Sequence, residues 1–566
     1  MNTNKPAVKL IAEICRAMGI RYAVFSPGSR SAPLVIAFSQ IPEIECLVIP
    51  DERVAGYFAL GLAQQTQIPV AVICTSGTAV LNLGPALCEA YYQHIPMLFL
   101  TADRPAGAEE RGENQAIKQS MLFKEMTVAS YDIDADITDR ISLSMMASKM
   151  EHAVYDATKK VPGPVHVNVR MSEPLYDLEN PSPLAYQPKL QERESAITSE
   201  KSKSVFLRQL ASTKKKLIVL GMQKPSTELS ARLSIIAKRS DIVILTESAA
   251  NLDISGAIYN YDACLDIISG QQLSVFAPDL VITLGNQIIS KKLRQALKLH
   301  KPLYHWDISP YNEHRRFDIF DVPTNEDVMD ETTALDCLLD TESVSSDYAE
   351  KWQLINQALV KLTRQFLEKT PFCDLKVYQI LNDTYPPNAN LQYGNSTPIR
   401  YSNFFKHDGS LTINANRGTS GIDGSVSTAA GAAYATKQLT ICVVGDVSFL
   451  YDSNALWNNY LTKDFRIIII NNSGGNIFRL LNGPGKVNDF EKFFETQHHL
   501  NAKHLAAMHN IPYYFCEEQS GLEKTLETFY DDQNGRPAIL EIKTDGILSA
   551  ETYKAYFQFL KNNTVS

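Results

Sequence analysis

The sequence predicts an α/β protein built from three doubly wound domains with mainly parallel sheets, and three observations carry that expectation. Short β-branched runs alternate with amphipathic helical patterns, as in chains of right-handed βαβ units. At 566 residues the chain exceeds what one hydrophobic core organises. Two polar stretches, 179–204 and 340–350, interrupt the alternation and read as boundaries. The expected domains are residues 1–180, 205–340 and 350–566.

Each element follows from local pattern. In the first domain strands are expected at 21–26, 46–49, 70–75, 97–101 and 164–169, with helices at 31–40, 52–65 and 76–92. In the helix at 52–65, Val54, Tyr57, Phe58 and Leu62 recur at helical spacing. The second domain carries strand patterns at 216–221, 242–246, 280–285 and 303–308, and a helix at 226–238. The third carries strands at 411–414, 439–445, 465–471 and 538–543, and helices at 424–437, 452–461 and 519–532. Parallel sheets covered on both faces place ligands at the carboxyl ends of their strands.

Composition narrows the function class. Apolar residues make up 45 % and charged residues 21 %, an ordinary globular balance. The net charge of −9 argues against a nucleic-acid binder, which needs a basic face, so an anionic ligand must be met by local Arg and Lys. The nine cysteines are scattered without a C-x-x-C pair and read as free thiols of a reducing compartment. Neither a signal peptide nor a membrane span is expected, and the reading is a cytoplasmic enzyme.

The most informative stretch is 442–476. One strand pattern ends in Gly445-Asp446, Asn454 follows, and a second ends in Asn471-Asn472-Ser473-Gly474-Gly475. Gly-Asp and Asn-Gly alone are ordinary turn chemistry; paired on two strands at this spacing they resemble the thiamine-diphosphate signature. Mg²⁺ takes near-octahedral oxygen ligands and is usually shared with a phosphate. Asp446, the amide oxygen of Asn472 and the carbonyl of Gly474 supply three such oxygens, and the Gly445 turn offers N–H groups to a diphosphate. The superfamily often has Gly after the Asp, where this chain has Val447.

Asp51-Glu52-Arg53 opens a helix after a strand. An acid there ordinarily serves the helix dipole. Thiamine enzymes also need a carboxyl beside N1′ of the aminopyrimidine, and Glu52 is the candidate. Basic residues recur beside strand-end turns: Arg30 in Ser26-Pro27-Gly28-Ser29-Arg30-Ser31, Arg104 after Ala102-Asp103, Lys291-Lys292, Arg400 after Ser396, and Arg417. Singly, each is an ordinary surface ion-pair partner; together, they predict multiply charged anionic substrates. No G-x-G-x-x-G fingerprint or P-loop occurs, which weakens a nicotinamide or NTPase reading.

Ser-Pro-Gly-Ser-Arg-Ser, Asp-Glu-Arg, Ala-Asp-Arg-Pro, the Asn416–Gly424 block and Asn-Asn-x-Gly-Gly-x-Ile-Phe together resemble the 2-succinyl-5-enolpyruvyl-6-hydroxy-3-cyclohexene-1-carboxylate synthases, from about Val24 to Leu481. The resemblance implies pyrimidine, central and diphosphate domains, thiamine diphosphate with Mg²⁺ (or Mn²⁺), and a homodimer that can pair into a tetramer, the cofactor lying between domains of different subunits. It implies decarboxylation of 2-oxoglutarate and 1,4-addition of its succinyl part to isochorismate. By the same resemblance Glu52 is catalytic; Ile422, Asp446, Asn472, Gly474, Asn476 and Ile477 meet the cofactor; and Asp446, Asn472 and Gly474 hold the metal. Ser29, Arg30, Arg104, Gln115, Lys291, Lys292, Ser396, Arg400, Arg417, Phe478 and Leu481 would meet substrate. The pair Lys291-Lys292 stands where the resemblance gives Lys-Arg, and a lysine lacks the guanidinium fork. Another thiamine-dependent 2-oxoacid decarboxylase or synthase, or a non-catalytic nucleotide-binding α/β protein, are the alternatives.

Overall fold

The computed structural model describes residues 1–159, 161–180, 186–188, 199–268, 272–308, 320–322, 325, 329–481, 483–531 and 535–563. Most of the stretch expected as a linker, 181–185 and 189–198, lies outside the described residues. Three parallel sheets organise the rest.

The first sheet contains β1 (Tyr22–Phe25), β2 (Glu45–Val48), β3 (Val70–Cys74), β4 (Met97–Asp103), β5 (Ala129–Asp134) and β6 (Pro164–Arg170), in the order β2-β1-β3-β4-β6-β5. The central sheet contains β7 (Lys216–Leu220), β8 (Ile242–Thr246), β9 (Leu280–Leu284) and β10 (Tyr304–Ile308), in the order β8-β7-β9-β10. The third contains β11 (Asn390–Tyr393), β12 (Thr412–Ala415), β13 (Thr440–Gly445), β14 (Phe465–Asn471), β15 (Tyr513–Cys516) and β16 (Ala538–Lys543), in the order β12-β11-β13-β14-β16-β15. The first and third sheets therefore share one topology. The helices that matter for the site are α1 (Glu52–Thr66), α2 (Lys291–Leu299), α3 (Asp374–Thr384), α4 (Ser425–Thr436), α5 (Asp446–Tyr451), α6 (Ile477–Leu480) and α7 (Gly546–Asn563).

Period-two alternation splits each sheet between two cores. Val24 of β1 joins an apolar cluster shared with α1, α4 and the third sheet, while its neighbours Ala23 and Phe25 face the opposite cluster. Leu217 and Val219 of β7 pack toward the third domain, and Ile218 and Leu220 pack outward. Two clusters thus tie the third domain to each of the others.

The closest joint is between α1 and α4. A Cβ on Gly61 would stand 2.0 Å from the Thr428 carbonyl oxygen, and one on Gly431 would stand 2.0 Å from that of Phe58. The helices cross backbone against backbone, which no side chain at either position allows.

Three expectations need correction. The single helix at 76–92 is two, Thr78–Asn82 and Gly84–Gln93, restarting at Gly84-Pro85, because proline suits a first helical turn and not an interior. The helix at 452–461 is only a 3₁₀ turn, Ser453–Leu456, and the regular helix is α5, one turn earlier. The polar stretch at 340–350 already contains the start of the helix Tyr348–Glu368, whose Tyr348 and Trp352 are buried. Strands β5, β11 and β15 were outside the predicted set; β5 and β15 are edge strands whose half-exposed residues give weak apolar signals.

Candidate active site

The carboxyl ends of β13 and β14 lie side by side, with Gly445 registered against Ile470. Asp446 begins α5 at that edge and is 3 % exposed. Its carboxylate accepts from the Val447 N–H at 2.7 Å and from the Gly474 N–H at 3.0 Å, which joins the two loops. Gly474 has φ +153, and a Cβ there would stand 2.7 Å from the Glu495 carbonyl oxygen, so the turn requires glycine. His498 Nε2 stands 3.3 Å from the same Asp446 carboxylate.

The side chains of Asn472 and Asn476 decide whether a cation and diphosphate fit. Both are buried. Asn472 Nδ2 donates to Asp374 at 2.9 Å, while its Oδ1 is buried without a partner. Asn476 leaves both amide atoms buried and unpaired. What sets these three orphaned atoms apart is their place, on the loop that Gly474 ties to Asp446, where a ligand or water can complete them. A carboxylate, an amide oxygen and a backbone carbonyl are hard-oxygen donors of the kind Mg²⁺ takes, the Gly474 carbonyl also accepting from the Asn476 N–H at 2.9 Å, and the unpaired Asn476 side-chain N–H groups suit a phosphate oxygen. Among the described residues no group of three His, Cys, Asp or Glu side chains is placed to hold a metal, so the amide and carbonyl oxygens are essential to this fit.

Glu52 is the first residue of α1, capped by Asp51, which accepts from the N–H groups of Arg53 (2.9 Å) and Val54 (3.3 Å). Burial raises the Glu52 carboxyl above its ordinary range, its own backbone N–H works against that, and Asp51 adds repulsion. The turn is docked on the third domain of the same chain. Asn454 Nδ2 donates to Asp51 at 2.8 Å, and Arg53 donates to the Tyr451 carbonyl at 2.8 Å. One turn on, the Tyr57 hydroxyl donates to Asp423 at 3.2 Å, next to Ile422, whose carbonyl accepts from Ser448 at 2.8 Å. Ile422 thus stands beside the first turn of α5.

A cavity of about 700 Å³ opens between the central and third domains, lined among others by Lys291, Lys292, Arg400, Ile477, Leu481 and Tyr553. Ser396, at φ +76, turns the chain so that its carbonyl accepts from Arg400. Arg417 is 7 % exposed, donates to Asn395 at 3.0 Å, and leaves its Nε buried and unpaired. Burial lowers its pKa to about 10, with repulsion from Arg400 adding to the effect. The Arg400 pKa is likewise lowered, chiefly by burial. A buried and a half-buried guanidinium that repel one another favour an anion between them.

Lys292 is already engaged: it pairs with Asp266 and lies 3.7 Å over the Phe557 ring, while Lys291 is exposed. Phe478 lines an adjoining cavity of about 680 Å³ that shares Leu481 and Lys554 with the first. At the edge of the first sheet, Arg30 donates to the Met171 carbonyl and to Glu173, both at 3.1 Å. Arg104 donates to the Asn114 carbonyl at 2.7 Å, and Gln115 is exposed at φ +55. Those two and the neighbouring Ser29 and Arg30 do not line the larger cavity, whose walls come from the other two domains.

Sequence reasoning missed four residues. Glu89 is fully buried and accepts from the N–H groups of Gly418 (2.6 Å) and Thr419 (2.7 Å), pinning the Arg417 loop from the first domain. Arg294 follows Lys291 by one helical turn, and its buried Nε is unpaired. Asp374 is the buried partner of Asn472, and burial raises its carboxyl pKa against the opposing donors Thr544 and Asn472. Glu247, just past β8, accepts from the N–H groups of Ile289 (2.7 Å) and Ser290 (2.8 Å) and from the Tyr261 hydroxyl (2.6 Å). Its place at a strand's carboxyl end was a usable signal; the other three had none beyond a helical position.

Burial raises the Glu247 pKa from 4.5 to about 7. The folded state therefore binds this proton more tightly than the unfolded chain does. The stabilisation is complete below the unfolded value and is lost as pH climbs through the folded one. Glu247→Gln is expected to remove that loss, on the order of 3 kcal/mol between pH 5 and pH 8, at most. Urea unfolding of both proteins at the two pH values measures it, and parallel changes would exclude Glu247 as the source.

Comparison with known proteins agrees with this geometry. Residues 6–122 match the thiamine pyrophosphate enzyme N-terminal TPP binding domain, and residues 394–542 match the corresponding C-terminal TPP binding domain. A 2-succinyl-5-enolpyruvyl-6-hydroxy-3-cyclohexene-1-carboxylate synthase of Flavobacterium johnsoniae is 39 % identical over 97 % of this chain and 98 % of its own length. The chain belongs to that synthase family. Synthases of the same name from Flavobacterium psychrophilum (37 %; 98 % of this chain, 99 % of the relative) and Desulfotalea psychrophila (34 %; 96 % and 98 %) extend the match. This member of the synthase family is thus a thiamine-diphosphate enzyme, and its two matched segments carry Glu52 and Asp446 respectively. Among the described residues of this synthase-family chain no helix is long and apolar enough to cross a membrane.

Proposed function

We propose that the chain decarboxylates 2-oxoglutarate and joins the remaining four-carbon unit to isochorismate, forming 2-succinyl-5-enolpyruvyl-6-hydroxy-3-cyclohexene-1-carboxylate and CO₂, as in menaquinone biosynthesis in the cytoplasm. The observation that carries this reading is the buried, unpaired oxygen of Asn472 in the loop tied to Asp446, in a chain of this synthase family. Thiamine diphosphate, when bound, supplies the electron sink for losing CO₂ and for making the new C–C bond.

The chain's own groups divide the remaining tasks. Asp446, Asn472 and the Gly474 carbonyl hold Mg²⁺ or Mn²⁺, and Asn476 with the α5 turn holds the diphosphate. Glu52 moves a proton at the aminopyrimidine, and its partial burial suits a group that exchanges one. Ile422 and Ile477 support the rings. Ser396 and Arg400 hold the 2-oxoglutarate-derived carboxylate or its neighbour, while Ile477, Phe478 and Leu481 supply an apolar wall. Ser29, Arg30, Lys291 and Lys292 receive the isochorismate carboxylates, and Arg104, Gln115 and Arg417 also line the site. Residues 1–180, 205–340 and 350–566 form the pyrimidine, central and diphosphate domains. The active unit is a homodimer that brings the first-sheet cations of one subunit to the cavity of the other, or a tetramer made of two such dimers.

Purified protein with thiamine diphosphate and Mg²⁺ is expected to convert 2-oxoglutarate plus isochorismate into one product carrying both skeletons less CO₂, identified by mass spectrometry. Turnover of pyruvate alone, with none of the joint product, would assign the chain to another 2-oxoacid chemistry.

A further inference from the structure

An asparagine amide is two-faced: its oxygen and nitrogen ends have the same shape, and only the surroundings decide which end points where. Asn472 is useful to a cation only if its oxygen faces the Asp446 loop. The fully buried Asp374, in the first turn of α3, accepts from Thr544 Oγ1 at 2.7 Å and from Asn472 Nδ2 at 2.9 Å, one bond to each carboxylate oxygen. Its own N–H donates to Ser549 Oγ at 3.0 Å, in α7. Thr544 in turn is fixed by its N–H bond to the Asn471 carbonyl at 3.0 Å. Gly546 lies so close that a Cβ there would stand 2.7 Å from the Asn472 carbonyl oxygen. The ends of β14 and β16 and the starts of α3 and α7 therefore converge on one side chain.

We propose that Asp374 is a positioning residue, which takes up the nitrogen end of Asn472 and thereby presents its oxygen end to the divalent cation. Both oxygens of Asp374 are taken up as acceptors, one by Thr544 Oγ1 and the other by Asn472 Nδ2, so it is the nitrogen end of the amide that faces it. The opposite amide face is the buried oxygen left without a partner. Asp374 touches neither substrate nor cofactor and acts through Asn472 alone, in the manner of the outer groups that orient metal ligands. This inference rests on the metal-ligand assignment in the proposed function.

The experiment is isothermal calorimetry of thiamine diphosphate binding at graded Mg²⁺, on full-length protein whose folding is checked by circular dichroism. Asp374→Ala is expected to weaken the Mg²⁺-dependent affinity by roughly 10–100-fold. Asn472→Asp sets two carboxylates face to face and is expected to weaken it comparably. The exchange variant, Asp374→Asn with Asn472→Asp, conserves charge and lets an amide donate to a carboxylate again, now in the reverse sense. It is expected to recover affinity to within a few-fold of wild type. Failure of the exchange variant to improve on Asn472→Asp, or native affinity in Asp374→Ala, overturns the positioning role. Should Asp374→Ala not fold, the exchange still decides. If wild-type binding ignores Mg²⁺, the metal assignment itself falls; if Asp446→Ala abolishes the Mg²⁺ dependence while both Asp374 tests fail, only this inference does.

Discussion

Glu52→Gln is expected to bind thiamine diphosphate nearly as tightly as wild type and to turn over roughly 10²–10⁴-fold more slowly, the range for a lost proton-transfer group. Glutamine keeps the length and polarity of the side chain and the helix cap beneath it. Asp51 carries that cap through Arg53 and Val54 and is itself held by Asn454. The substitution thus removes the ionisable group without loosening the turn that places it. The readouts are steady-state turnover, binding calorimetry, and the rate of hydrogen–deuterium exchange at the cofactor's reacting carbon. Near-native exchange and turnover in the variant would take Glu52 out of the mechanism. Lost binding instead would make it a structural residue.

Asp446→Ala is expected to reduce Mg²⁺-dependent cofactor affinity by more than about 100-fold, beyond what a change outside the ligand set costs. Two effects combine. One of the three proposed ligand oxygens disappears, and the N–H groups of Val447 and Gly474, now donating at 2.7 and 3.0 Å, lose their acceptor. The loop bearing Gly474 should loosen as well, since that bond is its tie to α5. Titrations at saturating and at trace Mg²⁺ separate the two: loss of the ligand abolishes the metal dependence, while a loosened loop only weakens binding at every metal concentration. Superimposable curves for variant and wild type would refute the ligand assignment.

Much of the candidate site was legible in the sequence because its local signals are short and chemical. Gly445-Asp446 and Asn471-Asn472 stand at the ends of apolar strands, and parallel pairing of β13 with β14 then obliges them to meet. Glu52 follows a helix cap whose pattern needs only four residues to read. Edge strands were harder. β5 and β15 carry half-exposed residues, so alternation is the only trace they leave, and it is weak. Arg30 and Lys292 were legible as cations at strand ends, but not as cations already bonded to Glu173 and Asp266.

What the sequence determined by itself is the architecture, the synthase family and the set of oxygens and cations available, since periodicity, turn chemistry and motif spacing are properties of neighbours in the chain. What only the tertiary structure decided is how those groups are held. Asp374 is 98 residues from Asn472, and Glu89 is 329 residues from Gly418. No spacing rule joins such pairs, because each depends on buried contacts between elements that meet only once the sheets have stacked. Backbone contact at Gly61 and Gly431 is of the same kind: each glycine is ordinary in its own helix, and the crossing alone makes it necessary.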